Sequence, residues 1–246
     1  MRRIASGIAD AMGFLTILPV GRRTSMGTAF FPAVGLLLGM MLWAVLQSPL
    51  PPLPRAALAT ILWTVLTGGL HEDAWADSMD AAWAHVGREG RLEILEDPRI
   101  GAHGLSATVL LLIARFAALA SVPPIAVLAA PVLGRWAMVA APAFFRPVRA
   151  TGLGGRFAEE SSPLAATAVA GVTLAVVLGV GSLTPASDGP GVRLIIAVVA
   201  AGAAGSLLGA SLSRRFGGLT GDGYGAVGVI AELAALWAFL PWGWPT

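Results

Sequence analysis

The chain has 246 residues, 56% of them hydrophobic and only 12% charged, with a mean hydropathy of +0.77. A soluble domain carries about twice that charged fraction, and the net charge is only +2, which argues against a soluble monomer, a disordered chain and a nucleic-acid-binding domain. The lack of cysteine excludes disulfides, thiolate metal sites and cysteine nucleophiles.

At the N-terminus, Arg2 and Arg3 precede an apolar run that imitates a signal peptide. Asp10 interrupts the run and no small-residue cleavage site precedes Pro19. A retained amphipathic or re-entrant segment is therefore expected over residues 1–23. About twenty apolar residues cross the hydrocarbon core as a helix. Seven spans follow on that basis, over 28–49, 55–70, 104–122, 125–145, 163–185, 192–212 and 224–243. The second is short and ends in Gly68-Gly69, so it tilts or breaks before a polar stretch. Pro and Gly punctuate the boundaries, as at Pro51, Pro52, Pro123, Pro124 and Pro163. The expected fold is an all-α polytopic membrane helix bundle, a single integral membrane domain over 1–246. It carries an acidic loop at 71–103 and a Gly-rich loop at 213–223.

Arginines orient the bundle. With the N-terminus cytoplasmic, that face carries Arg2, Arg3, Arg22, Arg23, Arg88, Arg91, Arg99, Arg146, Arg149, Arg156, Arg214 and Arg215, against Arg55 and Arg193 opposite. This bias places both polar loops in the cytoplasm. Arg115 and Arg135 lie within spans, where an arginine either pairs inside the bundle or snorkels to the interface.

Eight of the fourteen acids and all three histidines (His71, His85, His103) fall between residues 71 and 103. Asp73, Asp77 and Asp80 are spaced i, i+4, i+7, so a helix places the three carboxylates within about 60° of one another. Glu72 lies off that stripe. Like charges so arranged repel unless a cation offsets them, and oxygen-only donors suit Mg²⁺ or Mn²⁺. The plainer alternative is a solvated acidic helix face. His71 is a general base, a ligand or a phosphate contact, or else a structural histidine. Further on, Glu93 and Asp97 share a helical face that Pro98 should end, and Arg91 and Arg99 are placed either to clamp phosphate oxygens or to pair with nearby acids. In Gly217-Gly218-Leu219-Thr220-Gly221-Asp222-Gly223, the glycines let backbone N–H groups approach an anion and Asp222 is placed to complete a metal site. A plain Gly-rich turn is the alternative. Glu232, inside the last span, is expected to face a polar interior.

Four stretches together resemble the cobalamin synthase family, the adenosylcobinamide-GDP ribazoletransferases. They are Phe14-Leu-Thr-Ile-Leu-Pro-Val20; Thr67-Gly-Gly-Leu-His-Glu-Asp-Ala-Trp-Ala-Asp77; Arg91-Leu-Glu-Ile-Leu-Glu-Asp-Pro-Arg-Ile-Gly-Ala-His-Gly104; and Gly217-Gly-Leu-Thr-Gly-Asp222 with Gly225, Ala226 and Glu232. The family usually has Asp-Gly-Leu-Ala-Asp where Asp73-Ala74-Trp75-Ala76-Asp77 stands, and Asp-Gly at Asp80-Ala81. It usually has Asp-Ser-Arg at Asp97-Pro98-Arg99 and a basic residue at Glu96. These departures bear on the fine geometry of the site and on the lower base.

The resemblance implies that the 3′-hydroxyl of α-ribazole, or of its 5′-phosphate, attacks the cobinamide-linked phosphorus of adenosylcobinamide-GDP. GMP leaves, and adenosylcobalamin or its 5′-phosphate is formed. It further implies Mg²⁺ held by Asp73, Asp77 and Asp80, with Asp97 and Asp222 as further ligands or positioning groups. Arg91, Arg99, Arg215 and Gly221 would contact substrate, and His71 or a carboxylate would take the hydroxyl proton. The partners implied are these two substrates and the lipid bilayer of the bacterial cytoplasmic (inner) membrane, without nucleic acid and with a homo-oligomer allowed. Two other readings are a CDP-alcohol phosphotransferase, whose Asp-Gly-x2-Ala-Arg motif this chain breaks at Asp77, and a cation or metabolite transporter. The transporter is disfavoured because the acids cluster outside the spans.

Overall fold

The computed structural model describes residues 2–20, 25–182 and 190–241; Arg22 and Arg23 lie outside them. Eleven α-helices are present among these residues. They are α1 (Arg2–Leu15), α2 (Phe31–Leu46), α3 (Pro52–Leu66), α4 (Leu70–Trp83), α5 (Arg88–Ile94), α6 (Ala102–Leu119), α7 (Ala126–Ala140), α8 (Gly152–Glu160), α9 (Pro163–Ser182), α10 (Pro190–Phe216) and α11 (Gly221–Ala238). Short 3₁₀ turns at Thr28–Phe30 and Ala141–Ala143 extend α2 and α7. The all-α architecture agrees with the sequence. Each expected span contains a helix, but fewer of them pass as simple spans.

Among the described residues, five helical segments are long and apolar enough to cross a membrane: Thr28–Leu46, Ala102–Leu119, Ala126–Ala143, Pro163–Gly181 and Gly191–Phe216. The number rises to six when α3 and α4, bent by 86°, are taken as one broken span. The seventh expected span, α11, is not among them, because Asp222, Tyr224 and Glu232 dilute its apolar character. It is nevertheless a central helix, buried along most of its length. The other centre is α7, 78% of whose span is buried, against 28% for α9 and α10. The outer helices present Leu164, Val172, Ile195, Val199 and Leu207 outward. Such apolar faces suit lipid contact.

Close helix approach depends on small residues, as it commonly does in bilayers. A Cβ on Gly35 would stand 2.4 Å from the Pro131 carbonyl oxygen, and one on Gly39 would stand 2.5 Å from that of Val127. This four-residue repeat lets α2 lie directly on α7. Gly39→Leu should force the two backbones apart, costing about 1–3 kcal/mol by overpacking. A lowered thermal midpoint in detergent is the expected result, and an unchanged midpoint would refute the contact.

The α3–α4 break has a local cause. Gly69 N donates to Thr64 O at 2.9 Å and Gly68 N to Val65 O at 3.0 Å, a Schellman closure of α3. Both glycines are left-handed, with φ of 62° and 72°. The chain therefore turns sharply and restarts as α4 after three residues. The acidic segment is consequently not a loop in solvent. Its first half is a helix packed antiparallel to both α6 and α11, with Ala74 against Gly225.

Candidate active site

The carboxylate stripe forms as its spacing predicts, but its three members have different surroundings. Asp80 is buried, and both its oxygens are taken: Oδ2 accepts from Gly101 N at 2.7 Å and Oδ1 from Gly104 N at 2.8 Å. A carboxylate at the start of α6 satisfies N–H groups that have no partner within that helix and opposes its dipole. Asp80 thus pins α4 to α6. Asp80→Ala should remove about 1.5–3 kcal/mol for each bond to the charged group, seen as a lower thermal midpoint. Retention of the wild-type midpoint would show that this cap does not matter.

Asp73 is exposed, Asp77 and Asp222 are half-buried, and none of the three has an ion-pair partner among the described residues. Asp73, Asp80 and Asp222 all act electrostatically on Asp77, and Asp73 acts on Asp222. Two adjacent helices, α4 and the start of α11, therefore bring together carboxylates that share no cation. Among the described residues, no three His, Asp or Glu side chains are close enough to hold a metal ion unaided. The donor chemistry still fits Mg²⁺, which keeps several waters and binds through one or two carboxylates plus substrate phosphates. Asp80, with both oxygens engaged, is the poorest donor of the set.

Arginines surround the other end of α4. Arg91 Nη1 donates to the Ala81 and Ala82 carbonyls at 2.6 and 2.5 Å, and Arg215 Nη1 donates to Ala82 O at 2.8 Å. They cap the last turn and complement its dipole. Arg88 Nε donates to Phe216 O at 2.7 Å, tying α5 to the end of α10.

Asp97 and Arg99 stand elsewhere. The predicted face shared by Glu93 and Asp97 does not form, because α5 ends at Ile94. Pro98 disfavours helical backbone at the residue before it, so the helix stops short of Asp97. Asp97 pairs instead with Arg99 at 2.6 Å. That guanidinium, through hydrogen bonds, holds the exposed carboxyl at about 2. Asp97 is not among the charges acting on Asp77.

The Gly-rich segment is short and fixed. Leu219 N donates to Arg146 O and Val148 N to Leu219 O, both at 2.9 Å, making a parallel β-bridge between Pro147 and Leu219. Thr220 then caps α11, its hydroxyl accepting from Gly223 N at 3.1 Å. Gly221 and Asp222 are thereby held in the first turn.

Behind the carboxylates lies a second group of charges. Arg115 pairs with Glu72, and its Nη2 stands 3.7 Å from Glu232 Oε2. Arg135 pairs with Glu232. Arg115 also lies 4.7 Å above the Trp63 ring, and the Thr64 hydroxyl donates to Glu72 at 3.2 Å. All four ionic groups are buried. Of the two fates open to Arg115 and Arg135, pairing inside the bundle is the one observed. Glu72, set aside for lying off the stripe, proves to be a partner for that reason. The signal was available: two arginines within spans demand buried counter-charges. His71 is 4% exposed and sits against Gly134, Arg135, Met138 and Glu232. It points to the buried network, on the opposite side of α4 from Asp73.

Residues 7–240 match the family described as cobalamin-5-phosphate synthase. The chain is 37% identical to a Roseiflexus sp. (strain RS-1) protein named adenosylcobinamide-GDP ribazoletransferase, over 93% of this chain and 87% of that one. It is 38% identical to a protein of that name from Stutzerimonas stutzeri (strain A1501), over 92% and 94%. A Desulfitobacterium hafniense (strain Y51) protein of the same name is 33% identical over 96% of both chains. No solved structure matches. With a match over nearly its whole length, the chain belongs to the cobalamin-5-phosphate synthase family.

Proposed function

We infer that this protein is an adenosylcobinamide-GDP ribazoletransferase that completes the nucleotide loop of cobalamin. The observation that carries this reading is the near full-length likeness to proteins of that name. The 3′-hydroxyl oxygen of α-ribazole, or of its 5′-phosphate, forms a bond to the cobinamide-linked phosphorus. The diphosphate P–O bond breaks and GMP departs with the electron pair. Such transfers depend on positioning and charge neutralisation. Two of Asp73, Asp77 and Asp222, together with the substrate's phosphates, would hold Mg²⁺, which when bound supplies charge neutralisation at the diphosphate. Arg91 and Arg215, at the end of α4, would turn their remaining N–H donors to the diphosphate oxygens. The hydroxyl proton passes to a carboxylate of the Asp73–Asp77–Asp222 group; His71 is walled off from it.

The arginine bias supports a bacterial cytoplasmic membrane location, with the N-terminus and the α5 face in the cytoplasm. Soluble substrates would then reach the carboxylates from that side. The transporter reading loses support because Glu232 is committed to Arg115 and Arg135. Purified protein given adenosylcobinamide-GDP, α-ribazole and Mg²⁺ should release GMP. Folded protein that releases none would overturn the reading.

A further inference from the structure

A cleft of about 260 Å³ adjoins Asp222, walled by α8, the segment after α5 and the turn ahead of α11. Leu92, Leu95, Leu153 and Leu219 give it an apolar lining. The polar groups nearby are mostly committed. Arg149 pairs with Glu96 at the rim, and the Thr220 hydroxyl accepts from Gly223 N. Asp222 lines this cleft and also interacts electrostatically with Asp73 and Asp77. The walls are fixed by the Pro147–Leu219 bridge and by the approach of α8 to α11, where a Cβ on Gly154 would lie 2.8 Å from Gly221 N.

Three bulky groups take part in the reaction inferred above, on which this step rests. The corrin ring is far too large for the cleft. Guanine carries donors and acceptors around its edge, and burying them against leucines would leave them unpaired at a cost in affinity. The base of α-ribazole is a flat fused ring with an apolar perimeter, which such a lining accommodates. We propose that this cleft is the acceptor subsite: the leucines hold the α-ribazole base, and Asp222 at the inner end stands beside the ribose. The donor diphosphate would then be met by Arg91 and Arg215 at the end of α4. Substrate discrimination at the base is then set by Leu95 and Leu153.

The test uses the full-length protein in nanodiscs, with KM measured separately for α-ribazole and adenosylcobinamide-GDP. Leu95→Trp should raise the KM for α-ribazole about tenfold or more, the range for hydrophobic pocket mismatches, and leave the donor KM unchanged. Leu153→Ala, at a half-exposed position, should improve the relative use of ribosides with bulkier bases. Equilibrium dialysis of α-ribazole alone should show the same weakening in Leu95→Trp without any turnover. A shift in the donor KM instead, or no shift in either variant, overturns the subsite while leaving the enzyme assignment intact. Absence of GMP release by the wild type overturns the assignment itself. Should Leu95→Trp not fold, the base preference of Leu153→Ala decides the matter.

Discussion

Glu232→Ala is expected to remove most folded protein from the membrane fraction. Glu232 is 2% exposed and is the partner of Arg135 and the second partner of Arg115. Its loss leaves Arg135 buried without its ion-pair partner. Breaking a buried pair from one side costs about 3–5 kcal/mol, a large share of the roughly 5–15 kcal/mol that holds a typical protein folded. Removing both partners is a different matter, because no uncompensated charge remains. The double variant Glu232→Ala with Arg135→Met should therefore recover much of the loss, giving a large coupling in a double-mutant cycle. Monodisperse yield in detergent and the thermal midpoint are the readouts. A stable Glu232→Ala protein, or additive losses in the double variant, would show that the pair is dispensable.

Asp77→Asn is expected to reduce turnover at least about a hundredfold, equivalent to about 2.7 kcal/mol of lost transition-state stabilisation. The side chain keeps its size, so folding should be spared. What changes is the charge at the centre of the Asp73, Asp80 and Asp222 group. Removing it should both slow GMP release and raise the Mg²⁺ concentration needed for half-maximal rate. The matched Asp80 variant should behave otherwise, losing stability through its bonds to Gly101 and Gly104 and leaving Mg²⁺ demand alone. Wild-type turnover and Mg²⁺ dependence in Asp77→Asn would refute the metal role.

The contrast between these aspartates marks where sequence reasoning stops. Helical periodicity placed Asp73, Asp77 and Asp80 on one stripe, because 100° per residue is a property of the backbone alone. It carries no information about what approaches the stripe. That Asp80 meets the start of α6, twenty-odd residues on, is a tertiary fact. The same limit explains Glu72: one position off the stripe, it meets Arg115 further along α6 and Thr64 of α3. Spans were legible from apolar runs, and arginine counts favoured one orientation. The last helix was harder to classify, since α11 is buried by protein on its polar side rather than by lipid. Asp97 was misplaced because the helix ends before the proline's neighbour, not at the proline.

α4 is held at both ends. Glu72 fastens its first turn to Arg115, Asp80 fastens it to the start of α6, and Arg91 and Arg215 grip its last carbonyls. A segment so clamped has little freedom to reorient its charges when a highly charged diphosphate arrives. Its dipoles and carboxylates are paid for at folding, so the reorganisation energy of the transfer step is lowered in advance. The stability of the buried charges and the speed of the chemistry are in this sense two readouts of one rigid helix.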